Sequence, residues 1–532
     1  MQVIIPMSGH GERFRRAGYD IPKPLIDVDG SKIIEHVVSM FPVDSEFIFI
    51  CNNDHLHDVD LHLEEMLYGL RQNVKIVGIE SHKLGPVHAV MSALDMIDLD
   101  RPVIISYCDF YSLWSWQDFM SKVADSRCFG AIPCYTGFHP HMLHNTNYAY
   151  VKSAGLVVSD IQEKMPYTSD PMSEYASAGI YYFSSARLMS AAFQYVFDND
   201  LKVNGEYYVS LAYKHLLTRG LKTIVFELDY FMQWGTPEDL REYQYWSKCF
   251  SQLTLASSQL SLPETTLIIP MAGRGERFRK VGYTQDKLML PVSGRPMFLQ
   301  SVKSLPKCER NVFLIREDNT DIDTIRSTIS LEFDNAAIIE LSEITSGQAT
   351  TAAMGVKSLV DDYPLVDSML LIGCCDAAIC FSQPDWFSAL ESGSDWDVIV
   401  FGAKNYPYGE RNPESYGWVV TNDDNIITDV AVKSYPSSTG TPYIMVGIFM
   451  FRNRNVFDSL YSTLINASRT VNGEFYIDTM IGLAIETNLR AIVVPVDYYI
   501  CWGTPGELLT FEYWQNCFTR WHAHAYDGRG LS

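Results

Sequence analysis

The sequence predicts an α/β protein of two tandem domains, each built on a largely parallel, doubly wound sheet. Two observations carry this. The first is internal repetition: Val3-Ile4-Ile5-Pro6-Met7-Ser8-Gly9-His10-Gly11-Glu12-Arg13-Phe14-Arg15 returns as Leu267-Ile268-Ile269-Pro270-Met271-Ala272-Gly273-Arg274-Gly275-Glu276-Arg277-Phe278-Arg279. In the same order, Val203-Asn204-Gly205-Glu206-Tyr207-Tyr208 returns as Val471-Asn472-Gly473-Glu474-Phe475-Tyr476, and Trp234-Gly235-Thr236-Pro237 as Trp502-Gly503-Thr504-Pro505. A repeat this long is a duplicated domain rather than a solenoid. The second is the alternation, within a copy, of short apolar runs with segments of helical periodicity.

Val3 to Pro6, Glu46 to Cys51, Val74 to Ile79 and Pro102 to Tyr107 read as buried strands, because each is a short apolar run bounded by polar residues. Between them, Ile33, Ile34, Val37 and Val38 recur at helical spacing after Ser31, and Val87 to Ile97 forms a second helix. Ser251 to Glu264 is rich in Ser, Thr and Gln, ends beside a Pro and has little apolar periodicity, so it reads as a linker. The expected organisation is domain 1 over 1–250, a linker over 251–264 and domain 2 over 265–532, and the length prior of about three or four domains overcounts.

The chain has 532 residues, 47% hydrophobic and 20% charged, which is enough to bury substantial cores and excludes a disordered chain. Lys and Arg number 41 against 64 Asp and Glu, a formal charge of -23 that argues against general nucleic-acid binding. Any phosphate it binds must meet a local positive site. The 11 cysteines include no C-x-x-C pair, and Cys374 and Cys375 sit side by side in an apolar run, the pattern of reduced, buried thiols and a cytoplasmic location. After Met1 there is no basic region with a small-residue cleavage site, and no stretch approaches the uncharged apolar length of a membrane span. Homo-oligomerisation is left open.

In the loop after the first strand, Gly9 and Gly11 let the backbone approach a phosphate, and Arg13 offers it a fork of donors. Lys23, stiffened between Pro22 and Pro24, falls near the same strand end. Gly273, Gly275, Arg277 and Lys287 repeat the set. Asp109 and Asp376 each end an apolar run, where a carboxylate on a parallel strand is placed to hold Mg²⁺.

These residues resemble the sugar-phosphate nucleotidyltransferases, the sugar nucleotide pyrophosphorylases, whose signature is a strand, a G-x-G-T-R type loop and then P-K-P. Here Glu12 stands where that family usually has Thr. The resemblance implies two Rossmann-like domains, each transferring a nucleoside monophosphate from an NTP to a small phosphorylated acceptor with release of pyrophosphate, in a pathway to surface polysaccharide precursors. It implies that Gly9, Gly11, Gly273 and Gly275 hold the NTP phosphates, that Gly85, Gly347 and Gln348 lie in the base-recognition region, and that Arg13, Lys23, Arg277 and Lys287 are catalytic. Asp109 and Asp376 become metal ligands for Mg²⁺. The family's second metal carboxylate has no counterpart at Gln233-Trp234-Gly235-Thr236 or Cys501-Trp502-Gly503-Thr504, so Asp229 and Asp497, slightly upstream, are the available substitutes. On the acceptor side the resemblance points to Tyr148, Glu163, Lys164 and Gly179, and in the second copy to Lys433 and Gly447.

His139, His141 and His144 lack the spacing of a zinc site and read as a loop facing the acceptor or solvent. The copies differ in other places. Asp286-Lys287-Leu288 lacks the flanking prolines, Glu163-Lys164 becomes Val432-Lys433, and Gly85-Pro86-Val87-His88 becomes Gly347-Gln348-Ala349-Thr350. Three readings follow: two transferase domains with different bases and acceptors; one transferase with domain 2 a nucleotide-binding regulatory module; or a nucleotide-sugar glycosyltransferase, which the lack of a D-x-D motif at Asp109-Phe110-Tyr111 and Asp376-Ala377-Ala378 disfavours.

Overall fold

The computed structural model describes residues 1–255, 260–358, 368–381 and 395–528. The chain divides into two compact units, Met1–Gln244 and Tyr245–Ser532, and the division falls inside the helix Pro237–Leu255. It lies before residue 250 because Tyr245 already belongs to the second unit, where its hydroxyl donates to the Tyr499 carbonyl at 2.9 Å and accepts from the Tyr499 amide at 2.8 Å.

The stretch read as a linker is structured at both ends. Helix continues through Leu255 and a strand runs Ser261–Pro270, and the apolar side chains of Leu253, Leu260 and Leu262 are buried. Polar composition hid three anchoring leucines spaced too widely to register as a period.

The first unit carries a ten-stranded sheet. Its parallel centre is the strand Gln2–Met7, flanked by Glu46–Asn52 and Val103–Ser106, with Val74–Ile79 outside Glu46–Asn52. Ile4, Ile48 and Ile105, register partners on one face of these strands, are fully buried in one core with Val87, Val90 and Phe193 from the covering helices, and Val3, Ile5, Phe47 and Ile104 on the other face are fully buried too. Beyond Val103–Ser106 the sheet changes direction: Ile180–Phe183 runs antiparallel between Val103–Ser106 and Gly130–Tyr135. The antiparallel strands Ala149–Ala154, Val157–Glu163 and Tyr175–Ser177 complete the far side. The sheet is therefore mixed and not largely parallel. A strand buried on both faces reads as the same apolar run in either direction, so the pattern does not report the reversal.

The second unit repeats this plan. Ser261–Pro270 pairs in parallel with Lys307–Arg316 and Met369–Ile372, and Thr441–Phe451 runs antiparallel between Met369–Ile372 and Val398–Ala403. Each unit adds a separate two-stranded ribbon: Phe110–Leu113 with Tyr230–Gln233, and Ala377–Cys380 with Tyr498–Cys501. In both, the ribbon starts immediately after the strand-end aspartate and so fixes its position. No helix among the described residues is long and apolar enough to cross a membrane. All 11 cysteines are free, and all but Cys375 are buried.

Candidate functional site

In the first unit a cavity of about 640 Å³ opens at the C-terminal ends of the parallel strands. Strand Gln2–Met7 delivers the loop into it. Gly11 takes a left-handed conformation, φ 63°, at the cap of the short helix Glu12–Arg16, and Gly275 repeats it at 62°. That turn aims Arg13 at the cavity while Phe14 is buried and pins the helix.

Lys23 sits in a 3-10 turn, Lys23–Leu25, and its Nζ lies 2.6 Å from Asp109 Oδ2. Burial opposes the lysine's charge, but Asp109 beside it more than offsets this and holds the Lys23 pKa above its ordinary value. The site thus presents a fixed cation next to a fixed carboxylate. The second unit pairs Lys287 Nζ with Asp376 Oδ2 in the same way. There, burial works to raise the Asp376 carboxyl, but Lys287, with help from Arg277, brings it below the usual carboxylate value.

The missing prolines around Lys287 have a structural substitute. Pro24 has no N–H to satisfy, whereas Leu288 has one, and the buried Asp286 accepts it at 3.0 Å. Asp286 is spent on the backbone, and Lys287 pairs with Asp376.

The Gly85 loop is held by Tyr207, which follows the repeated Val-Asn-Gly-Glu segment, to which the sequence assigned no role. Tyr207 N donates to Leu84 O at 2.9 Å, and Val87 N donates to Tyr207 O at 3.2 Å. A Cβ on Gly85, whose φ is 86°, would lie 2.8 Å from Tyr207 O. Phe475 clamps Gly347 identically, with Ala349 N donating to Phe475 O at 3.0 Å. Gln348 opens the helix Gln348–Ser358 that follows.

On the opposite wall stand Tyr148, Glu163, Lys164 and Gly179. Ser210 donates to Glu163 Oε2 at 2.6 Å, and Lys164 Nζ donates to Tyr208 Oη at 2.5 Å. Burial raises the Glu163 carboxyl to about 7, against the pull of Ser210 and Lys164 and with a push from Glu206. His139 and His141 do not form an exposed loop. Both are buried against Tyr135, and His141 Nε2 is 3.1 Å from the Tyr135 hydroxyl, so they support the wall from behind. Burial lowers the His139 pKa to about 4.

Asp229 and Asp497 are corrected as metal ligands. In the ribbon register Gln233 faces Phe110 beside Asp109, whereas Tyr230 faces Leu113 at the other end, so Asp229 is exposed and about four residues' rise away, roughly 13 Å. Asp497 is likewise at the far end from Asp376 and binds Gln252 Nε2 at 2.7 Å. Among the described residues no group of three His, Cys, Asp or Glu is arranged around a metal. A carboxylate from this segment that does line the cavity is Asp239, which accepts from Thr236 Oγ1 at 2.7 Å, with Glu507 and Thr504 repeating the pair at 2.8 Å. The repeated Trp-Gly-Thr-Pro followed two residues later by an acid was the available signal. His10, His82 and Lys83 also line the cavity and were not expected.

All the other first-unit residues put forward from the sequence, from Gly9 to Gly179, meet around this one cavity. In the second unit, Arg277 acts electrostatically on Asp376, Lys433 and Tyr476, so residues put forward there from the sequence lie around one centre. Gly447 backs on to Cys374, two residues before Asp376.

Residues 2–243 match the model of the nucleotidyl transferase family. The chain is similar to the bifunctional protein GlmU of Methanocaldococcus jannaschii, 26% identical over 205 residues that make up 37% of this chain and 42% of that protein. It is similar to GlmU of Methanococcus aeolicus at 24% over 245 residues, 46% of this chain and 52% of the relative. The chain spans about half the length of these curated relatives. A solved nucleoside-diphosphate-sugar pyrophosphorylase from Vibrio cholerae RC9 aligns with a TM-score of 0.38 and 20% identity, covering 46% of this chain and 99% of that one.

Proposed function

We propose that the first unit transfers a nucleoside monophosphate from an NTP to a small phosphorylated acceptor, such as a sugar phosphate, releasing pyrophosphate. The observation that carries this is the meeting, in one cavity, of the Gly9–Arg13 loop, the Lys23–Asp109 pair and the Glu163–Lys164 wall. The family match over residues 2–243 supports it.

The chemistry needs no protein nucleophile. An acceptor phosphate and the α-phosphorus under attack repel one another, so the residues' work is alignment and charge compensation. Arg13 meets the transferring and leaving phosphates, Lys23 the α-phosphate, and the backbone at Gly9 and Gly11 the triphosphate. Lys164 takes the acceptor's phosphate and Glu163 one of its hydroxyls. Four cations, Arg13, Lys23, Lys83 and Lys164, share the cavity with five carboxylates, Glu12, Asp109, Glu163, Glu206 and Asp239. A triphosphate entering so balanced a site needs a further cation. Asp109 would be the carboxylate that holds Mg²⁺, a hard cation that suits few protein ligands beside a phosphorylated substrate. When bound it supplies Lewis-acid stabilisation of the phosphoryl oxygens. Mg²⁺, the cytoplasmic location and the role in surface polysaccharide precursors belong to this reading.

The second unit repeats the same parts through Gly273, Gly275, Arg277, Lys287 and Asp376, which favours a transferase over a regulatory module there. Pyrophosphate release by the full chain with Mg²⁺, each common NTP and a panel of phosphorylated sugars and polyols tests the reading. Release that requires both an NTP and one acceptor is expected, and release that needs no acceptor would refute transfer.

A further inference from the structure

The two units bring a carboxylate to their acceptor lysine from different walls. In the first, Glu163 stands across the strand pair from Ala149, and Ser210, near the start of helix Val209–Thr218, donates to it at 2.6 Å. In the second, Val432 stands across from Gly417, so the strand wall carries no acid. Tyr476-Ile477-Asp478 repeats Tyr208-Val209-Ser210, which puts Asp478 where the first unit has the serine.

The Asp478 carboxylate leans into space that Gly417 leaves open. A Cβ on residue 417 would lie 2.2 Å from Asp478 Oδ2 and 2.6 Å from the Met445 methyl. Three positions have therefore changed together: Ala149, Glu163 and Ser210 in one unit against Gly417, Val432 and Asp478 in the other. The lysine's backbone is unmoved, although Lys164 Nζ donates to the Tyr208 hydroxyl and Lys433 Nζ to the Ser415 carbonyl. Lys164 and Lys433 share a left-handed backbone, φ 59° and 58°, and their amides donate to Tyr148 O at 2.8 Å and Tyr416 O at 3.0 Å. Asp478 is the main group attracting Lys433's charge, and burial raises its carboxyl to about 6. A carboxylate held there costs desolvation, and a disused site offers nothing to offset that cost. The absence of a glutamate at Val432, the aspartate at 478 and the clearance for it at Gly417 together describe a site equipped with an acid in a different geometry.

We infer that the second unit holds its own phosphorylated, polyhydroxylated acceptor, with Lys433 on the phosphate and Asp478 on a hydroxyl, and that this acceptor differs from the first unit's in the direction its hydroxyl points. An ammonium binds phosphate as a point charge and a carboxylate accepts strongly from hydroxyls, so the pair selects a small molecule bearing both. Val432 offers an apolar surface where the first unit's acceptor meets Glu163. The inference rests on the nucleotidyl-transfer reading above.

The test uses the full chain carrying Arg13→Ala, a change at an exposed side chain that disables the first unit without disturbing a core. Pyrophosphate release is measured across the common NTPs and a panel of sugar phosphates and polyol phosphates. Release is expected to persist for an NTP and acceptor pair that Arg13→Ala with Arg277→Ala loses. Adding Asp478→Asn, which keeps the side chain's shape, raises KM for that acceptor by about tenfold or more and leaves KM for the NTP unchanged. Gly417→Ala with Val432→Glu and Asp478→Ser moves acceptor preference toward the pair that Arg13→Ala removed. An active intact chain whose Arg13→Ala form is silent, or an acceptor KM indifferent to Asp478→Asn, overturns the second acceptor site and leaves the first unit's activity standing. Silence of the intact chain with every pair overturns nucleotidyl transfer itself and this inference with it.

Discussion

Lys23 Nζ and Asp109 Oδ2 lie 2.6 Å apart although 86 residues separate them in the chain, and the two are about one-fifth and one-quarter exposed. Asp109 is the main group offsetting the burial of the Lys23 charge. Removing a positioned cation from such a site typically costs on the order of 100-fold in rate, so Lys23→Met is expected to lower kcat by about that much while leaving NTP binding detectable. It also leaves Asp109 without its partner. The thermal midpoint of Lys23→Met should therefore fall, and Lys23→Met with Asp109→Asn should regain most of it. A double variant no more stable than the single one would show that the pair is not coupled.

Glu163 supplies a pH dependence. Its carboxyl, raised by burial to about 7, holds a proton in the folded unit at pH values where an unfolded glutamate has lost it. Between the unfolded value and about 7 the native state binds more protons, so this group's contribution to stability falls as pH rises through that window and stays low above it. Glu163→Gln is expected to raise the thermal midpoint at pH 8 and to leave it nearly unchanged at pH 4. Function runs the other way, because the ionised carboxylate is the better acceptor for a hydroxyl. Acceptor KM in the wild type should drop as pH rises through 7, and Glu163→Gln should flatten that profile.

Asp286 distinguishes substitution from decay in the second unit. Its carboxylate accepts the Leu288 amide at 3.0 Å, a bond the first unit does not need because Pro24 has no N–H. Asp286→Ala leaves a buried donor unpaired, and a loss of about 1 kcal/mol in unfolding free energy is expected, read from denaturant midpoints at constant slope. Asp286→Pro with Leu288→Pro restores the first unit's solution and should recover the loss. If Asp286 instead weakened Lys287, Asp286→Ala would raise the second unit's activity.

What the sequence made legible was local and repeated. Gly11, Arg13 and Lys23 fall within one strand, one turn and one 3-10 step, so their meeting needs no knowledge of distant pairing. Asp109 was legible because a strand end is marked by the close of an apolar run. Direction was not: Ile180–Phe183 looks like its parallel neighbours and runs against them. The second carboxylate was misplaced because Asp229 is close to Trp234 in the chain, while the ribbon strand Tyr230–Gln233 lies between them and carries them to opposite ends. His139 and His141 looked solvated because a histidine's burial is decided by its partners, here Tyr135, and not by its own polarity. The exchange of Glu163 for Asp478 spans two elements that touch only in the folded unit, so comparing the copies residue by residue registered only the loss at Val432.

Two loop glycines read as nucleotide-binding, Gly85 on the base side and Gly9 on the phosphates, separate under mutation. At Gly85 the fold itself forbids a side chain: φ is 86°, and a Cβ would lie 2.8 Å from Tyr207 O and 2.9 Å from Tyr207 N, backbone atoms that cannot swing aside. Gly85→Ala must strain that position or break the bonds from Tyr207 N to Leu84 O and from Val87 N to Tyr207 O. A loss of about 1–3 kcal/mol is expected, with KM for the NTP rising because the loop is displaced. At Gly9 a Cβ would meet nothing within 4 Å. Gly9→Ala should therefore leave the thermal midpoint where it is, and any rise in KM for the NTP must come from the ligand's own approach to that backbone. Measured side by side, a stable Gly9→Ala enzyme with impaired NTP binding places the phosphates over the first loop, and one with unimpaired binding would move them off it.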